Sequence, residues 1–169
     1  MNKLKPLDYK ILFELMKNAR VSDRKMAKIL GVSQATVSRR RAKLEKEAIE
    51  GYTAIPKWEK LGYELVAMTF IKSDVIYDSE EKRKAGLKAA RDWVMKQPNV
   101  IVAGRGRGMG MAGFMVSLHK DYSDFEDFIS KHNSALGQFI TESQSFLTAV
   151  AKLGEIKAFH LKYLAEAKP

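Results

Sequence analysis

The chain has 169 residues, 46% of them hydrophobic, and a net charge of +10. This length admits one domain or two small ones with a buried core. The absence of cysteine excludes disulfides and thiolate metal sites, and no run of about 18 apolar residues exists to form a transmembrane helix. The charge is uneven: residues 1–55 hold 13 Lys plus Arg against 6 Asp plus Glu, and the remainder 17 against 14. The excess that suits a polyanion therefore lies in the first third. The start, Met-Asn-Lys-Leu-Lys-Pro, has no apolar signal core; a cytoplasmic protein without membrane contact is expected.

Residues 7–18 have the spacing of an amphipathic helix, with Leu7, Ile11, Leu12, Leu15 and Met16 inward. Ser22 then caps a second helix, Asp23 suits its positive end, and Met26, Ala27, Ile29 and Leu30 form its apolar face. Gly31 ends it, Val32 turns back to the core, and Ser33 caps a third helix running to about Glu47. That third helix opens with small or amide-bearing residues, Gln34, Ala35, Thr36 and Ser38, followed by Arg39, Arg40 and Arg41. A helix-turn-helix has this layout, because side chains at the start of its second helix must reach base edges in the major groove. Ser33, Gln34, Ala35, Thr36 and Ser38 are the candidates for base edges or nearby backbone. Arg39 and Arg40 straddle base and phosphate roles, Lys43 completes the helix's set, and Ser22, Arg24 and Lys25 suit phosphates.

Ile49–Ile55, β-branched and aromatic around Gly51, reads as a small wing or strand. Pro56 breaks the chain, and Lys57–Gly62 reads as a helical turn anchored by Trp58 and Leu61. Residues 64–73 are a strand, and 79–97 a helix with Leu87, Ala90, Trp93 and Val94 on one face. Val100–Ala103 is a strand, 104–113 a glycine-rich loop, and Phe114–His119 a strand alternating Phe, Val and Leu with Met, Ser and His. Tyr122–Leu136 is a helix with Phe125, Phe128, Ile129 and Leu136 inward, closed by Gly137. Ile140–Lys152 is the last strand, and 155–167 a C-terminal helix. The class is α+β. Residues 1–55 form a winged helix-turn-helix, 56–63 a linker, and 64–154 a βαββαβ, ferredoxin-like domain; 155–169 are a helical tail. Four antiparallel strands with two helices on one face leave the other face to be buried, most simply against a second copy, so a homodimer is expected.

This chain resembles the Lrp/AsnC family of transcription regulators. The resemblance rests on Leu7-Asp8-x-x-Ile11-Leu12, Gly31-Val32-Ser33-x-x-Thr36-Val37-x-Arg39-Arg40, Leu44-Glu45 and Ile49-x-Gly51-Tyr52; Leu61-Gly62 and Pro98-x-Val100 extend it into the second domain. It implies a DNA-binding regulator, dimeric or assembled from dimers into tetramers or octamers, whose C-terminal domain binds a small effector, commonly an amino acid, between subunits. Three departures stand out. Arg41 occupies a position that is usually apolar in the family: either its stem packs and its head reaches solvent, or the helix is rolled and Arg41 touches a phosphate. The family's loop between the second and third strands usually carries an Asp suited to an amino group. Here no carboxylate lies between Gly104 and Lys120. The tail from Glu155 is longer than the layout requires.

Gly108-x-Gly110-x-x-Gly113 formally matches a dinucleotide fingerprint, but a strand rather than a helix follows it, so the pyrophosphate would meet no helix N-terminus. Two readings remain for Gly104, Arg105, Gly106, Arg107, Gly108 and Gly110. They are a hairpin tip that orders on assembly, or an anion site built from two guanidiniums and free backbone N–H groups, in which case the effector is acidic or phosphorylated. His119, His132 and His160 are scattered without metal-ligand spacing, Ser117 is an ordinary strand residue, and Glu80 and Glu81 suit a helix start. No catalytic site, metal or cofactor is expected. The sequence points to a homo-oligomeric, sequence-specific regulator of transcription. Its rivals are an architectural DNA compactor with little sequence preference and a metabolite-sensing module that binds another protein.

Overall fold

The computed structural model describes residues 4–73, 79–150, 157 and 160–166. The chain divides into two compact units, one of residues 1–55 with 157–169 and one of residues 56–156. In the first, α1 (Pro6–Lys17), α2 (Asp23–Leu30) and α3 (Gln34–Glu47) enclose a core of Ile11, Leu15, Val21, Met26, Ala27, Val37 and Leu44. Leu4, Leu7, Leu30, Val32 and Ile49 pack around it. The caps set these boundaries. The Ser22 hydroxyl accepts from the Lys25 N–H, and the Ser33 hydroxyl from the Thr36 N–H. Gly31 sits at φ +66°, where a side chain would be strained, and lets the Val32 N–H reach the Ala27 carbonyl. Ile29, expected on the inner face of α2, is 52% exposed: the eight-residue helix has one buried stripe, and Met26 and Ala27 fill it.

Residues 49–57 contain no strand, against the expected wing. A strand exists only by pairing, and among the described residues this segment has no ladder partner. It is held instead by the Ile49 N–H on the Leu44 carbonyl and by the Tyr52 hydroxyl on Glu45. The short helix α6 (Lys162–Glu166) packs against α1, with Ala165 buried and the Lys157 ammonium 3.9 Å from the centre of the Tyr163 ring. The described part of the tail thus belongs to the helix-turn-helix unit. The expected tail contacts of Ile156 and Phe159, and the strand end at Ala151 and Lys152, lie outside the described residues.

The second unit starts with a single 3₁₀ turn, Trp58–Leu61, ended by Gly62 at φ +80°. Trp58 is half-buried, but Leu61, expected as an anchor, is exposed. Strands β1 (Leu65–Lys72), β2 (Val100–Gly108), β3 (Met111–His119) and β4 (Glu142–Ala149) form one antiparallel sheet in the order β2-β3-β1-β4. Helices α4 (Glu80–Met95) and α5 (Tyr122–Leu136) connect the strands, capped by Ser79 and Asp121. The expected βαββαβ order is present.

The two faces of this sheet are unlike. Beneath the helices lie Thr69, Ser117 and His119, all fully buried, together with Ala67 and Met115. Thr69 and Ser145 pair their hydroxyls at 2.8 Å, and Ser117 Oγ lies 2.8 Å from His119 Nε2. His119 packs against Phe125 and Phe128, and His132 of α5 lies edge-on to Trp93. The opposite face carries Val66, Met68, Phe70, Phe114, Val116, Val102 and Phe146 in register, with Met68 between Val116 and Phe146. Phe146 is 66% exposed.

Two buried imidazoles make this unit sensitive to acid. Burial pushes both histidines below their ordinary value, partly opposed by Asp124 beside His119 and by Asn133 beside His132. The unfolded chain therefore binds more protons below about pH 6.5, and stability falls as pH drops through that value. We expect the chemical unfolding midpoint of the full chain to drop between pH 7.5 and pH 5, and His132→Leu to flatten that drop. An unchanged pH profile in His132→Leu excludes His132 as its source.

Candidate nucleic-acid interface

Helix α3 buries only Val37 and Leu44. Its remaining circumference is polar, and from Gln34 to Lys43 it carries no carboxylate. Gln34, Ala35, Ser38 and Arg39 are exposed, and Thr36 is half-buried with its hydroxyl 2.9 Å from that of Ser33. Lys43 is exposed and loosely paired with Glu47 at 3.6 Å. Lys46, exposed one turn beyond, continues the row of Arg39 at a spacing of seven; that spacing is legible in the sequence, although the candidate set stopped at Lys43. Ser22, Arg24 and Lys25 are exposed at the start of α2, which packs on α3. The arrangement offers amide, hydroxyl and guanidinium donors in a row on one helix, with ammonium groups at its end.

Three adjacent arginines have three environments. Arg39 faces solvent. Arg40 turns inward: its Nη1 donates to Asp8 Oδ1 at 2.8 Å, and Asp8 is 4% exposed on α1. The other Asp8 oxygen accepts from the Lys5 N–H and so caps α1. Burial alone would raise the Asp8 carboxyl, but the bonds from Arg40 and from the Lys5 N–H outweigh it and hold the group below its ordinary value. Arg41 takes neither position expected for it. Its Nε donates to Glu45 at 3.0 Å, its Nη1 to the Val21 carbonyl and to Asp23, both at 3.1 Å, and its Nη2 to the Ala19 carbonyl at 3.5 Å. Burial opposes its charge, while the bonds to Glu45 and Asp23 stabilise it and push the guanidinium upward from its ordinary value. The head is spent inside the unit because two loop carbonyls and two carboxylates converge on it.

The glycine-rich stretch is a hairpin rather than a loop. Strand β2 continues through Arg105 and Arg107 to Gly108, and β3 begins at Met111. Met109 and Gly110 form the two-residue turn, with φ of +53° and +73° as a type I′ turn needs. A Cβ on Gly104 would lie 2.9 Å from the Phe114 ring, so the glycine admits that ring across the strands. Beside the hairpin tip is a shallow cleft of about 160 Å³ lined by Phe70, Gly106, Arg107, Gly108, Met109, Met111, Gly113 and Phe114. A neighbouring one of about 270 Å³ shares Phe70, Met109 and Met111 and adds Gln144 and Phe146. Arg105 and Arg107 have no ion-pair partner among the described residues. Residues 109–113 lead into a strand and not a helix, as the sequence required.

The sequence model of the AsnC-type helix-turn-helix domain matches residues 6–45. An uncharacterised helix-turn-helix-type transcriptional regulator of Pyrococcus abyssi is 42% identical over 71 residues, 41% of this chain and 48% of that protein, so the chain spans about half the length of that relative. A similar regulator of Pyrococcus horikoshii is 32% identical over 136 residues, 78% of this chain and 83% of the relative. Its crystal structure superposes with a TM-score of 0.73 at 26% identity, covering 95% of this chain and 99% of that one. A regulator of Neisseria meningitidis, solved as a complex with L-Met, shares the fold at a TM-score of 0.74 and 22% identity over 96% of this chain and 99% of that one.

The Asp8–Arg40 pair yields a stability prediction. Asp8→Ala removes both a cap and the partner of a half-buried guanidinium. It should cost about 2 kcal/mol in denaturant unfolding followed by helical circular dichroism, less than a fully buried pair because Arg40 keeps some exposure. Adding Arg40→Met should recover part of that loss, and a double variant no more stable than Asp8→Ala excludes the pair as its cause.

Proposed function

Since the chain belongs to the Lrp/AsnC family of transcription regulators, we propose that it is a sequence-specific DNA-binding regulator that works as a homo-oligomer, with a sheet domain that takes a small-molecule effector. The observation that carries this reading is the outer face of α3. Gln34, Ala35, Ser38 and Arg39 are exposed and face away from a core that none of them builds. Residues with no part in folding, and with donors suited to base edges and phosphates, are what a recognition helix presents. In this reading Arg39 reaches the DNA with its whole head. Arg40 contributes mainly by fixing the helix, and its exposed edge meets a phosphate. Ser33, Thr36, Lys43, Ser22, Arg24 and Lys25 supply the remaining contacts.

The apolar sheet face supports oligomerisation. Met68, Phe114, Val102 and Phe146 form an exposed apolar patch, and a second copy buries it with the same patch of its own. Two recognition helices then meet half-sites one turn apart, about 34–36 Å. For the effector, the L-Met complex belongs to the Neisseria protein. In this chain the β2–β3 hairpin carries Arg105 and Arg107, the second of them lining an apolar cleft, and lacks a carboxylate that would hold an ammonium group. We therefore assign it an acidic or phosphorylated effector in place of a zwitterionic one.

Arg39→Ala should weaken operator binding by about 1–3 kcal/mol in gel-shift titrations and lower the slope of log affinity against log salt by about one if a phosphate contact is lost. Unchanged affinity and slope exclude Arg39 from the interface, and equal affinity for operator and random duplex at physiological salt favours DNA compaction instead. Thermal-shift screening should show stabilisation by anionic metabolites and none by neutral amino acids; the reverse result removes the anion site.

A further inference from the structure

The chain that leaves the recognition helix is fastened back onto it. Residues 49–57 have no regular structure, yet Tyr52 is held at two points. Its hydroxyl donates to Glu45 Oε1 at 2.8 Å, and its ring lies 5.7 Å beneath the Arg41 guanidinium. The same Glu45 oxygen accepts from Arg41 Nε, and Arg41 reaches on to Asp23 and to the carbonyls of Ala19 and Val21. One connected set of bonds therefore joins the α1–α2 loop, the start of α2, the third turn of α3 and the segment after α3. Both partners stabilise the Glu45 carboxylate, Tyr52 most and Arg41 next, so the carboxyl lies below its ordinary value and stays charged at neutral pH. Isolated surface pairs contribute little; a network ending on a planar fork with four acceptors is the geometry that holds.

We propose that the Arg41–Glu45–Tyr52 cluster is a specificity element: it fixes the direction in which the chain leaves the recognition helix, and so the half-site spacing that two copies accept. This inference rests on the reading of a two-copy DNA-binding protein. When two binding modules are linked, the effective concentration of the second is set by the reach and stiffness of the link. A pinned exit favours one spacing and penalises others, whereas a loose exit tolerates several. Arg41, Glu45 and Tyr52 need touch no base for this; they are positioning residues.

The test uses the full chain and a duplex selected by it from a randomised pool. Three probes are compared: that duplex, the same duplex with its halves moved by half a helical turn, about 5 bp, and the duplex with one half scrambled. Tyr52→Phe removes only the hydroxyl, and Arg41→Met restores an apolar residue. The wild-type protein should prefer the original spacing by roughly tenfold, and both variants should reduce that preference to about threefold or less, with affinity for the scrambled-half probe unchanged. A mere loss of folding would instead weaken all three probes together, and Tyr52→Phe decides alone if Arg41→Met does so. Variants that keep the wild-type ratio overturn the clamp and leave the two-copy reading standing. A wild-type protein indifferent to spacing overturns the clamp, and one that binds the scrambled-half probe as tightly as the selected duplex overturns the two-copy reading as well.

Discussion

A helix that offers its outer face to a partner can be held only from behind, and α3 has little behind it. Val37 and Leu44 are its only buried side chains. Arg40 and Arg41 supply the rest, one on Asp8 of α1 and the other on Asp23, Glu45 and two loop carbonyls. Arg41 spends all three nitrogens inside the unit and Arg40 one, while the exposed Arg39, Lys43 and Lys46 make the outer surface positive. Asp8 is the least replaceable partner. It closes the first turn of α1 with one oxygen and anchors the recognition helix with the other, and both roles need the carboxylate form.

The sheet unit sets polar groups among the apolar ones of its hidden face, beside Ala67 and Met115. Its hidden face holds Thr69, Ser117, Ser145 and His119, with hydroxyls paired to each other or to imidazole, while Phe70, Phe114, Val116 and Phe146 stand on the uncovered side. Buried polar groups are tolerable when bonded, and they define geometry more narrowly than aliphatic packing does. The helices therefore sit on a layer whose bonded polar groups specify position, and they leave the opposite face uncovered.

Several features were legible because they are local. Ser22, Ser33 and Gly31 announce helix ends through chemistry that acts within three residues. The order of strands and helices followed from period and punctuation. What escaped was decided by distant partners. The run from Gly104 to Gly113 looks like a loop because glycine weakens a strand, but pairing with β3 and the Met109–Gly110 turn override that weakness. Alternation in β3 separates Phe, Val and Leu from Met, Ser and His, yet it says nothing about which set the helices cover, and the apolar-inward rule picks the wrong one. The fate of Arg41 depends on carbonyls twenty residues earlier. Of the candidate interface, the exposed row on α3 was readable, and the division of labour among its three arginines was not.

The packing of α6 on α1 has a consequence in time. Roughly 115 residues separate the end of α3 from the start of α6. A ribosome adding about 5–20 residues per second takes on the order of ten seconds to cover them. During synthesis the three-helix core can therefore close, and even meet DNA, before its fourth helix emerges. The whole sheet unit is made in that interval, so its folding stands between the early and the finished forms of the helix-turn-helix unit.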